Sequence, residues 1–115
     1  MLVRHADQAV RRRVGEGTLL TCWAAEIPQG QVLLGVGEIP PGQRIPLTGA
    51  GRHEGDELSI VTKGRLDVES GGAAASLYAG DSCHIPAGEE HWCENAGPEP
   101  VRLVWIMIPP GGRVA

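Results

Sequence analysis

A chain of 115 residues with 42% apolar side chains can bury one hydrophobic core, and a single domain is expected. Its net charge of −4, with Lys63 as the only lysine, excludes the basic stripe of a nucleic-acid-binding surface; Arg11, Arg12 and Arg13, with Arg4 upstream, read as a solvated lead-in. No apolar stretch is long enough to span a membrane, the start lacks the h-region of a signal peptide, and three cysteines without a CxxC pair fit a reducing cytoplasm rather than a disulfide framework.

The 17 glycines and 9 prolines cut the remainder into short apolar runs, which favours strands and turns over helices. Residues 1–17 carry no clear period and are expected to form an arm or a short strand. The stretches 18–27 and 32–39 read as strands separated by Pro28, Gln29 and Gly30, and a Pro-Pro-Gly turn follows at 40–42. Residues 44–57 read as a strand running into a loop, and 58–70 as a hairpin turning at Lys63-Gly64. Further strands are predicted at 73–79, 82–86, 90–95 and 101–108, with a tail at 111–115. Eight or nine short strands at this spacing predict an all-β sandwich or barrel over residues 18–110. In the last strand Leu103, Trp105 and Met107 share one face and Val104, Ile106 and Ile108 the other, and either set is placed to line the barrel mouth.

The chemistry concentrates in two segments, "GRHEGDE" (51–57) and "GDSCHIPAGEEHWCEN" (80–95). Gly51 and His53 share a face if their stretch is extended, and Glu57 follows across a bend at Glu54-Gly55-Asp56. His91 and Cys93 share a face in the second segment, with Trp92 opposed. If His53, Glu57 and His91 converge, two imidazoles and a carboxylate suit a divalent transition metal and leave positions open for substrate or water. Cys93 is a weaker candidate ligand, and His84 weaker still, its facing set by the register before Pro86. Cys22 and Cys83 read as core; Lys63 is expected to be exposed, and Gln43 and Arg44 to lie within reach of the pocket.

These segments resemble the two motifs of the cupin superfamily. The first motif ends His, three or four residues, Glu, six residues, Gly, which His53, Glu57 and Gly64 match. The second is met at every spacing by Gly80, Pro86, Gly88, His91 and Asn95, and the resemblance covers about residues 30–108. It implies a single-domain double-stranded β-helix or jelly-roll barrel, and a homodimer. It also implies a metal held by three His and one Glu, of which this chain keeps His53, Glu57 and His91, with Gly51 in place of the first His. The cofactor is therefore iron, manganese, nickel or zinc, or none at all because of Gly51. The C-terminal half also resembles the cupin domain of helix-turn-helix regulators, where that His is often missing.

The leading expectation is a small-molecule enzyme with its site inside the barrel and His53, Glu57 and His91 as its catalytic residues. They would work through a metal, or by histidine acid/base chemistry with Glu57 as the orienting group, in a lyase, dehydratase, isomerase, cyclase or dioxygenase reaction. The alternative is a non-catalytic cupin that binds or senses a small ligand without metal. A third reading is a structural barrel whose pocket is vestigial.

Overall fold

The computed structural model describes residues 1–110; the tail expected at 111–115 lies outside the described residues. Ten antiparallel strands follow a short 3-10 turn at Ala6–Gln8: β1 (Val10–Val14), β2 (Thr18–Ile27), β3 (Gly30–Ile39), β4 (Arg44–Ile45), β5 (Asp56–Lys63), β6 (Arg65–Ser70), β7 (Ala73–Tyr78), β8 (Ser82–Ile85), β9 (His91–Glu94) and β10 (Val101–Ile108). They form a six-stranded sheet in the order β1-β2-β3-β10-β5-β8 and a four-stranded sheet in the order β4-β9-β6-β7. The core lies between them and is built from Ile39, Val61, Leu66, Leu77, Val101 and Leu103. Strand spacing predicts an all-β sandwich or barrel, and the jelly-roll barrel that the motif resemblance implies is the form found. Among the described residues no helix is long and apolar enough to cross a membrane.

Alternation decides which side chains face inward. On β10, Val101 and Leu103 are buried while Ile106 is exposed, so the odd-numbered set turns to the interior. Trp105 lies opposite Gly35 on β3, and a Cβ at Gly35 would stand 2.1 Å from its ring carbons. That glycine gives up strand propensity to let a tryptophan lie flat against the sheet.

The stretch 58–70 is not a hairpin. β5 pairs with β10 and β8, whereas β6 pairs with β7 and β9 in the other sheet. The turn at Lys63-Gly64 is a corner that carries the chain between sheets. Gly64 has φ +81°, and a Cβ there would sit 2.7 Å from the carbonyl oxygen of Pro100. Glycine is required on both counts: left-handed backbone and close approach of a neighbouring chain segment.

Candidate metal centre

The two motif segments meet at one end of the barrel. Gly51 and His91 form an isolated antiparallel bridge, each N–H donating to the other's carbonyl at 2.9 Å. The N–H of Gly88 donates to the carbonyl of His53 at 2.8 Å, which fastens the Pro86–Gly88 turn to the first motif. Between His53 and Glu57 the chain bends at Glu54 and Gly55, where a Cβ on Gly55 would lie 1.9 Å from the Ile108 carbonyl oxygen. A side chain there would push the bend off β10 and separate the histidine from the glutamate.

His53, Glu57 and His91 converge, each offering one ligand atom, with those atoms all within 4.8 Å of one another. The imidazole centroids are 4.6 Å apart and tilted by 58°. His53 Nδ1 lies 3.0 Å from the Gly55 carbonyl, and His91 Nδ1 2.9 Å from the Glu89 carbonyl. A carbonyl only accepts, so both Nδ1 atoms carry a proton, and in the neutral tautomer so fixed each Nε2 presents a lone pair. A backbone carbonyl fixing the remote ring nitrogen is the usual support of a metal-ligating histidine. His53 Nε2 is buried without a hydrogen-bond partner and stands 3.5 Å from Glu57 Oε1.

Glu57 is oriented by a residue that the sequence reading passed over. Ser59 Oγ donates to Glu57 Oε2 at 2.9 Å, leaving Oε1 for the histidines. Ser59 is buried on the same face of β5, two residues on. The alternation that pairs His91 with Cys93 would equally have pointed to it.

The donor set fits a divalent transition ion. Two neutral imidazoles and a carboxylate are borderline ligands suited to iron, manganese, nickel or zinc. Bond lengths of about 2.0–2.2 Å place ligand atoms roughly 3 Å apart, which small side-chain rotations from the present separations would reach. An orphaned buried nitrogen is costly unless something occupies the point it faces. Below the triad, Val61, Leu66, Leu77 and Leu103 line a narrow space of about 40 Å³, room for a few waters at most. A ligand of any size therefore stays at the mouth.

The other candidates lie elsewhere. Cys93 shares the inner face of β9 but sits deeper, opposite Val68 and Ile45 and against the core, outside the group of three donors. Burial pushes its thiol up to about 12, helped by the charges of Glu57 and Cys83. His84 is half-exposed on β8, with Nε2 2.9 Å from Asp56 Oδ2. That contact, with a hydrogen bond from the Ala87 N–H, holds the Asp56 carboxyl below its ordinary range. Gln43 and Arg44 do not reach the site. The Arg44 guanidinium lies 4.6 Å from the Trp92 ring centroid and donates to the Pro46 carbonyl, while the Gln43 side chain lies against Gly15.

Comparison with known proteins agrees with this architecture. The profile of the cupin domain family Cupin_2 matches residues 35–107, well over half of the chain, and the chain belongs to that family. A search of curated proteins finds no match. Among solved structures, an RmlC-like cupin from Shewanella frigidimarina is 18% identical with a TM-score of 0.71, over 94% of this chain and 90% of that one. A predicted oxalate decarboxylase from Thermotoga maritima is 21% identical with a TM-score of 0.69, over 94% and 99%. Drosophila melanogaster CENP-C, solved bound to CAL1, is 19% identical with a TM-score of 0.72, over 91% and 84%. At these identities the shared property is the fold, which serves both enzymes and binding proteins.

Proposed function

We propose that this cupin is a metal-dependent enzyme acting on a small molecule at the barrel mouth, with His53 Nε2, His91 Nε2 and the Glu57 carboxylate holding one divalent iron, manganese, nickel or zinc ion. The observation that carries this reading is the buried, unpartnered Nε2 of His53, beside a second imidazole held in the same tautomer. A bound ion would supply Lewis acidity toward a carbonyl or carboxylate oxygen, the chemistry that lyases, isomerases and oxygenases share. The chain's own part is to keep both Nε2 lone pairs free, to aim Glu57 through Ser59, and to close the floor with apolar side chains. Leu34, Ile106 and Leu58 form an exposed apolar cross-strand row on the solvent face of the six-stranded sheet, which supports the homodimer that the family resemblance implies.

A second reading, a ligand-binding cupin without metal, is favoured by Gly51, which removes one of the four usual ligands. Metal content of untagged protein separates the two. About one ion per chain is expected by inductively coupled plasma mass spectrometry, and its loss in His53→Ala and in His91→Ala. A wild-type protein that retains no ion, even after reconstitution with each of the four, overturns the metalloenzyme reading in favour of the second.

A further inference from the structure

Ser70 carries a second orphaned group beside the same site. Its Oγ is buried and has no hydrogen-bond partner. It ends the inner-facing series Leu66, Val68, Ser70 on β6, whose first two members line the space beneath the triad. Ser70 is the direct cross-strand partner of His91, and His91 in turn is bridged to Gly51. Directly opposed residues in an antiparallel sheet share a face, with Cβ atoms about 5 Å apart. One row therefore runs Gly51, His91, Ser70: a ligating imidazole with an unpaired hydroxyl on one side and an empty position on the other. A Cβ at Gly51 would meet nothing within 4 Å.

We propose that Ser70 is a ligand-binding residue. Its hydroxyl donates to an oxygen of a small carboxylate anion seated at the triad, with the remainder of that ligand directed past His91 toward the open side of the row at Gly51. This rests on the metal-centre reading in one respect, the charge. A divalent ion with one carboxylate ligand, Glu57, and two neutral imidazoles leaves a single positive charge, which a monoanion neutralises. The surrounding charges are balanced or set back. Arg52 and Glu90 form an exposed ion pair at the rim, and the Glu89 carboxylate lies over Gly71, beyond the row. The space beneath the triad is too small to take the ligand's body, so only its carboxylate reaches the ion and Ser70, and the smallest hydroxy acid suffices to test the contact.

Glycolate is the probe. Cobalt-loaded full-length protein is titrated with glycolate and followed by calorimetry and by the visible absorption of the cobalt. The wild type is expected to bind saturably, and Ser70→Ala to bind about 10-fold to 100-fold more weakly, the range of a hydrogen bond to a charged group. Cobalt stoichiometry should be unchanged, and metal-free Ser70→Ala should melt no lower than the wild type because it loses only an unpaired hydroxyl. Equal glycolate affinity in the variant, no glycolate response from cobalt-loaded wild type, or a variant midpoint several degrees lower each overturns the assignment. Failure to take up cobalt, and likewise iron, manganese, nickel and zinc, sinks the metal reading alone. Calorimetry on metal-free protein then decides for Ser70: a tenfold difference between wild type and variant supports it, and equal or absent binding overturns it.

Discussion

Asn95→Ala is expected to lower the thermal midpoint by roughly 12–20 °C, the largest stability loss predicted for any polar position in the molecule. Asn95 is fully buried and spends its whole amide on the backbone. Nδ2 donates to the carbonyls of Ile39 and Glu99, both at 2.8 Å, and Oδ1 accepts from the Gly97 N–H at 3.1 Å. Its own backbone completes the joint: its N–H donates to Gln43, and its carbonyl accepts from Gly42 at 2.7 Å. One residue thus ties three segments, its side chain joining the end of β3 to the loop that feeds β10 and its backbone holding the Pro-Pro-Gly turn. Alanine leaves two carbonyls and an N–H without partners, at about 1–3 kcal/mol each, and partial relaxation brings the sum to about 3–5 kcal/mol. A domain of this kind has about 5–15 kcal/mol in total. Asp at the same position should fare little better, because a carboxylate has no donor for the Ile39 and Glu99 carbonyls. Urea and thermal melts followed by circular dichroism measure the loss directly. A cost below about 1 kcal/mol would show that water replaces the amide, and that the residue's place in the second motif has another cause.

What could be read in the sequence, and what could not, follows the range of the interactions involved. Apolar runs bounded by glycine and proline are local signals, so the strands at 18–27 and 101–108, and that expected at 73–79 and found at Ala73–Tyr78, were visible in the residues themselves. The triad was legible for a similar reason. His53 and Glu57 are joined by one bend, His91 follows a turn set by Pro86 and Gly88, and a single bridge, Gly51 to His91, brings the two segments together. Pairing between distant strands leaves no such mark. Lys63-Gly64 has the composition of a hairpin turn, and only the partners of β5 and β6 reveal a corner between sheets. β4 is two residues long, too short for any alternation to register. Alternation gave the face of Cys93 but not its depth, which depends on register against Val68 and Ile45. Ser59 and Ser70 were passed over because serine is common in strands and turns. Each gains meaning only from its neighbour, Glu57 on the same strand for one and His91 across the sheet for the other.

Gly51→His is expected to tighten metal binding by roughly 100-fold. Dividing the about 10–16 kcal/mol of a four-ligand zinc site evenly gives about 3 kcal/mol per ligand, and 1.4 kcal/mol is a factor of ten. The backbone at 51 is not in the left-handed region, so a histidine is tolerated there without strain. A Cβ meets nothing within 4 Å, and the bridge to His91 places the new side chain on the face of the existing imidazole. The variant should therefore keep its fold while gaining a fourth donor. Chelator competition with zinc or nickel, comparing wild type, Gly51→His and the double variant Gly51→His/His91→Ala, measures the gain; the double variant, again with three donors, should return toward wild-type affinity. Glycolate binding should weaken in Gly51→His, because the added imidazole takes both an open position at the ion and the open side of the row at Gly51. Unchanged affinity for both metals in the single variant would mean that a side chain at 51 does not point into the triad. A gain in metal affinity with undiminished glycolate binding would instead keep the metal centre and move the ligand away from position 51. If the metal-centre proposal holds, glycine at 51 would exchange metal affinity for access, since a site with three protein ligands holds its ion less tightly and leaves more of the ion's surface to a ligand.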